Sequence, residues 1–129
     1  MLSPVTVYVP LNVPGVTYED TRAFSRGVAH VLARRAPDEV LIDMNKAKRA
    51  GKVFVDWSQN DRHKTTVNVY SLRAMESPTV STPLSWDEVE ALADSDEPLS
   101  FTAPEVLARV EEMGDLFSAV QTLEQELPR

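Results

Sequence analysis

Cysteine is absent from the 129 residues, which excludes disulfides and any thiolate-bound metal centre. Glycine occurs only four times, and the four are scattered, so no glycine-rich phosphate loop is present. A Ser–His–Asp set and zinc-ligand spacing are missing too. Apolar runs reach only a few residues, too short for a membrane-spanning helix. No basic segment leading into an apolar one opens the chain, as a signal peptide would. These absences make a cytoplasmic protein with no membrane partner the economical expectation. The residues present are 43% hydrophobic and 26% charged, the balance of an ordinary globular chain of single-domain length.

Basic charge is scarce overall and concentrated in one place. The net charge is −7, yet residues 46–73 carry seven Lys or Arg (Lys46, Lys48, Arg49, Lys52, Arg62, Lys64, Arg73) against two acids, Asp56 and Asp61. Residues 74–129 hold thirteen acids and two Arg. A basic island in an acidic chain points to a local anionic partner, most commonly phosphate, rather than to indiscriminate coating of nucleic acid.

Taken in order, Val5–Val9 alternates β-branched and aromatic residues and reads as a strand. Pro14-Gly15 marks a turn. Thr17 with Asp20 resembles a capping box for a helix to about Arg35, with Phe24, Val28, Val31 and Leu32 on one face. A shorter helix is expected near 38–49, turning Val40, Leu41 and Met44 inward and closed by Gly51. Strands follow at Lys52–Trp57 and Lys64–Val69, with a polar loop at Ser58–His63. Residues 74–85 should run extended along the surface. Ser85 with Glu88, and Thr102 with Glu105, cap two further helices. The first runs through Leu92; the second buries Val106, Leu107, Val110 and Met113 and ends at Gly114. A last helix is expected from about Asp115, using Leu116, Phe117, Val120, Leu123 and Leu127. The fold class is α/β (α+β): a small sheet with flanking helices and a helical C-terminal part.

Asp56 ends the apolar run Val53-Phe54-Val55. A carboxylate at a strand end has a fixed direction, which suits a hard Mg²⁺ or Mn²⁺ ion whose other ligands are waters and phosphate oxygens. An Asp in that place also serves simply to terminate a strand. Gln59, Asn60 and Lys64 are consistent with a nucleotide pocket and equally with an ordinary polar loop. Lys46-Ala47-Lys48-Arg49 reads as a solvated face unless it lies near Asp56. His63 stands in the basic loop within reach of a phosphate, whereas His30 reads as a packed or surface histidine. Asp94-Ser95-Asp96 has two-carboxylate spacing but lies in an acidic loop with no strand before it.

The run Gly51-Lys52-Val53-Phe54-Val55-Asp56-Trp57-Ser58-Gln59-Asn60, with Lys64-Thr65-Thr66 and Tyr70-Ser71-Leu72-Arg73, closely resembles the bacterial end-joining polymerases. These are the polymerase domains of ATP-dependent DNA ligase D, in the archaeo-eukaryotic primase superfamily. Tyr8-Val9-Pro10-Leu11, Val80–Trp86 and Gly114-Asp115-Leu116-Phe117 fit the C-terminal half of that domain. The resemblance implies metal-dependent, template-directed nucleotidyl transfer to a primer 3′ end, with DNA ends and nucleoside triphosphates as partners. It maps Asp56 onto the third of three metal-binding, catalytic aspartates, with Mn²⁺ or Mg²⁺ as cofactor. Gln59, Lys64 and Arg73 fall on nucleotide-binding positions. Arg49 is implied in placing nucleotide and template, and Lys46, Lys48, Lys52 and Arg62 belong to the same DNA-binding surface.

The departures from the family pattern are specific. Its Asp-x-Asp pair has no counterpart here, and the stretch where a Ser-Gly-x-Lys-Gly loop should lie reads Met1-Leu2-Ser3-Pro4-Val5-Thr6. Thr6 stands where the family usually has a histidine, and Asn68-Val69 replaces the usual Ala-Pro. The expectation is therefore the C-terminal part of a polymerase domain, residues 1–129, without polymerase activity on its own. One lost phosphate donor alone is worth about 3 kcal/mol of transition-state binding. Two alternatives are a non-catalytic nucleotide or DNA-end binding module, and one half of a split enzyme. Val5–Val9, as an open edge, would then favour self-association.

Overall fold

The computed structural model describes residues 5–128; Met1–Pro4, part of the divergent opening stretch, lie outside them. Two compact units are formed. One spans Val13–Thr66 and takes in the residues from 126 onward, and the other joins residues 5–12 to Val67–Gln125.

The Val13–Thr66 unit is built on helix α1 (Tyr18–Arg35). Its start is the capping box read from the sequence: Asp20 N–H donates to the Thr17 hydroxyl at 3.2 Å and Thr17 N–H donates to the Asp20 carboxylate at 2.9 Å. Acids in its first turn and Arg34 and Arg35 in its last complement the helix dipole. Phe24, Val28 and Val31 do share a face, but only Phe24 on it is half-buried. Ala29 is fully buried, and Arg22 and Ser25 on its side of the helix bond to residues 57–61. Val28, Val31 and Leu32 are each just over 40% exposed.

The helix expected near 38–49 does not form. Val40 N–H closes a turn onto Ala36 at 2.9 Å, and Val40–Leu41 becomes strand β1. It pairs in parallel with β2 (Val53–Phe54), Val40 opposite Val53 and Leu41 opposite Phe54. Branched side chains favour the ladder over the helix here. Asp43 and Asn45 then draw the backbone into local bonds, Asn45 N–H to Asp43 and Ala47 N–H to Asn45. The result is a single 3-10 turn, Lys46–Lys48, and Met44 is 53% exposed. Gly51, at φ +71°, makes the left-handed step into β2.

In the second unit, Val5–Val9 runs extended without a ladder, because no strand among the described residues pairs with it. The segment is tied down just beyond: Gln125 N–H donates to Leu11 O at 2.9 Å, and the Asn12 amide to Val120 O and Leu123 O. Tyr8 packs edge-on against Phe117 at 5.0 Å. Residues 64–69 form no strand either. The chain turns at Tyr70 (φ +62°), and β3 (Leu72–Arg73) pairs antiparallel with β4 (Thr79–Val80). Helices α2 (Trp86–Ala93) and α3 (Ala103–Met113) start at the expected capping residues. Along α3, Val106 is buried but Leu107 is 67% exposed, against expectation. Leu107 lies about 100° round the helix from Val106; Val110 and Met113 share the Val106 face but are 39% and 41% exposed, so only Val106 of the four expected residues is buried. The last helix is only α4 (Ala119–Thr122). After Gly114 (φ +73°), the Asp115 carboxylate accepts Phe117 N–H and the Tyr70 hydroxyl, holding a turn in place of a helix start.

Candidate functional site

The apolar run places Val53 and Phe54 in β2, so the chain leaves the ladder with Asp56 at its mouth. Asp56 caps the following 3-10 turn, Trp57–Gln59. Its Oδ1 accepts Ser58 N–H at 3.1 Å and the Ser58 hydroxyl at 2.6 Å. Its Oδ2 accepts the Gln59 amide at 3.1 Å. Ser58 is 2% exposed, and its hydroxyl oxygen also accepts from Lys64 Nζ at 2.8 Å. Lysine only donates, so the hydroxyl proton points at Asp56. One buried hydroxyl thus couples a carboxylate to an ammonium. Burial works against the Asp56 charge, but the bonds from Ser58 and Gln59 and the nearby Lys64 outweigh it and hold the carboxyl below its ordinary value.

Asp56, Gln59 and Lys64, separated by up to eight positions in sequence, are therefore brought together. Trp57 faces α1, with the Arg22 and Arg26 guanidinium groups 5.2 and 5.3 Å from its ring. Asn60 turns away from the carboxylate: its amide donates to Ser25 Oγ at 3.0 Å and Trp57 O at 3.2 Å, fixing the loop to the helix. It braces the loop and also lines a groove beside it.

The basic cluster divides by what each side chain touches. Arg49 lies over the Phe54 ring at 4.0 Å and donates to Met44 O at 3.2 Å. Its Nε is buried with no partner among the described residues. Lys48 pairs with Asp43 at 2.7 Å in the open, Lys52 donates to Pro37 O at 3.0 Å, and Lys46 is exposed. Arg62 is exposed on the loop after Asp61. Arg73, on β3, belongs to the other unit and is also exposed. Sequence reasoning missed Ser58, Ser25 and Arg22. Ser58 was findable as a hydroxyl two residues after an Asp, the local pattern that closes a side-chain turn. Ser25 and Arg22 carry no such signal, because only packing brings α1 to the loop.

For a hard cation, the ionised and rigidly aimed Asp56 is a fitting oxygen ligand. It is a single one. Among the described residues no group of three or more His, Asp or Glu stands together to hold a metal ion, and phosphoryl transfer by two metals uses a larger donor set. The residues present do not fit a complete two-metal centre.

The arrangement of helices and small sheets is that of a polymerase domain. It superimposes with a TM-score of 0.79 on the polymerase domain from Mycobacterium tuberculosis Ligase D in complex with DNA, at 38% identity, covering 90% of this chain and 39% of that one. Residues 5–117 match the family described as LigD, primase-polymerase domain. The chain is 44% identical over 112 residues to the multifunctional non-homologous end joining protein LigD of Mycolicibacterium smegmatis, covering 87% of this chain and 14% of that protein. To the bifunctional LigD of Bacillus subtilis it is 32% identical over 110 residues, 85% and 18% of the two chains. The chain belongs to the LigD primase-polymerase domain family. It spans less than a fifth of the length of these two relatives. No helix among the described residues is long and apolar enough to cross a membrane.

Proposed function

We propose that this chain acts in DNA repair by non-homologous end joining, as the part of a primase-polymerase domain that holds a DNA end and the phosphates of an incoming nucleotide. The observation that carries this reading is the Asp56–Ser58–Lys64 arrangement. An ionised carboxylate and an ammonium stand on either side of one buried hydroxyl, which suits a divalent cation and the phosphate it accompanies. Asp56 supplies one ligand to Mg²⁺ or Mn²⁺. Gln59 and Lys64 take the nucleotide, and Lys46, Lys48, Arg49, Lys52 and Arg62 take the DNA backbone. The DNA-bound state of the M. tuberculosis relative supports that assignment. Templated addition to a primer 3′ end requires further carboxylates, so this chain contributes binding, and one metal ligand, to a reaction completed by groups outside its described residues.

The test is a fluorescence anisotropy titration of a labelled duplex end at increasing salt. Affinity is expected to fall steeply with salt, and Arg49→Ala or Arg62→Ala to weaken it further, each lowering the slope by about 1. Absence of salt-sensitive binding would overturn the reading.

A further inference from the structure

The donors that aim Asp56 all sit on the 3-10 turn Trp57–Gln59: Ser58 N–H, the Ser58 hydroxyl and the Gln59 amide. The direction of the carboxylate therefore depends on what holds that turn. Strand β2 ends at Phe54 and stops short of it. Helix α1 reaches it by three kinds of contact. Arg22 pairs with Asp61 at 2.7 Å, but both side chains are partly in solvent, where ion pairs contribute little. The Arg22 and Arg26 guanidinium groups stand more than 5 Å from the Trp57 ring centre, a weak contact for a ring and cation that water also reaches. The third contact is Ser25, which is half-buried, as is its partner Asn60. A helical serine ordinarily turns its hydroxyl back on a carbonyl of the preceding turn, and Ser25 Oγ does lie 3.1 Å from Arg22 O. That leaves the oxygen free to accept, and it takes the Asn60 amide at 3.0 Å. Asn60 in turn donates to Trp57 O from its side chain at 3.2 Å and from its backbone at 3.3 Å. The carbonyl that opens the turn is held by Asn60, and Asn60 is held by α1 through Ser25.

We infer that Ser25 is a positioning residue for Asp56: bonded to Asn60, it fixes the Trp57–Gln59 turn and through it the direction in which the carboxylate meets a cation. The inference rests on the divalent-cation reading of Asp56 above and adds α1 to the elements that shape that site. Ser25 touches neither the cation nor its ligand, so its loss weakens the site without abolishing it.

The experiment titrates Mn²⁺ into the intact chain by electron paramagnetic resonance, for wild type, Ser25→Ala, Asn60→Ala and the two substitutions together. Alanine is the better helix former, so Ser25→Ala leaves α1 formed, which circular dichroism checks. Ser25→Ala is expected to lower Mn²⁺ affinity about fivefold, the worth of one hydrogen bond. The double variant is expected to bind no more weakly than Asn60→Ala alone, because both substitutions break the same link. Hydrogen exchange of the Ser58 amide, which donates to Asp56, should quicken in Ser25→Ala while the α1 amides keep their wild-type rates. A Ser25→Ala chain that binds Mn²⁺ as wild type does, or losses that simply add in the double variant, would overturn the proposal. If wild type binds no Mn²⁺, the cation reading itself fails. The Ser58 amide then tests the brace alone, and an unchanged exchange rate in Ser25→Ala overturns it.

Discussion

Ser58 is the residue on which the site turns. It is the sole buried polar residue among the described residues, and its hydroxyl is engaged on both sides. Ser58→Ala strips one donor from Asp56 and leaves Lys64 without its acceptor. The expected cost is about 1–3 kcal/mol, read by urea unfolding. The Asp56 carboxyl should rise toward its ordinary value, read by carbon-13 carboxylate titration. Because its folded value is depressed, Asp56 adds stability above the ordinary carboxylate range and loses it as pH falls through the folded value. A larger case lies in the other unit. Arg109 donates to both Glu88 oxygens, at 2.7 and 2.9 Å, and covers the Phe101 ring at 4.5 Å. Those bonds, opposed by burial and joined by the Ser85 N–H and hydroxyl, bring Glu88 from 4.5 down to about 2, equivalent to about 3 kcal/mol. That stability is present above pH 4.5 and is lost as pH falls toward 2. Arg109→Met should remove the larger part of it, leaving the share that Ser85 supplies, and make the acid limb of a stability–pH curve shallower. An acid limb as steep in the variant as in wild type would show that other groups govern it.

At the scale of elements, the helix starts were legible because a capping box is local: a hydroxyl and a carboxyl three residues apart satisfy each other without help from the rest of the fold. The three expected starts, after Thr17, Ser85 and Thr102, are where helices begin. Strands were not legible in this way. Alternation at Val5–Val9 and branched residues at 64–69 describe a surface that could pair, and pairing depends on a partner that the local sequence does not specify. The expected helix near 38–49 was lost for the same reason, since Val40–Leu41 is claimed by Val53–Phe54 twelve or more residues on. Helix faces misled as well. On α1 Val28, Val31 and Leu32 are exposed, while the fully buried residue is the small Ala29. Ala29→Leu is therefore expected to destabilise the chain by about 1–3 kcal/mol through overpacking. Val28→Ser should stay within about 0.5 kcal/mol. Thermal unfolding of both variants checks the assignment, and the reverse order would contradict it.

For the molecule as a whole, charge placement was the most readable feature. Seven of thirteen Lys and Arg fall within residues 46–73 of a chain whose net charge is −7, and that stretch carries the candidate site. Asp56, Gln59 and Lys64 were legible because they are close in sequence. The braces from α1 were not, because Arg22 and Ser25 lie more than thirty positions from their partners. The central claim is that Asp56, aimed by Ser58 and faced by Lys64, receives a divalent cation together with a nucleotide triphosphate. The most direct measurement is electron paramagnetic resonance titration of Mn²⁺ with the intact chain, with and without a nucleoside triphosphate. Wild type and Asp56→Asn are to be compared. The expected result is binding that tightens when the triphosphate is present and weakens at least tenfold in Asp56→Asn. Equal Mn²⁺ binding by the two chains would contradict the claim, whatever their affinity for DNA.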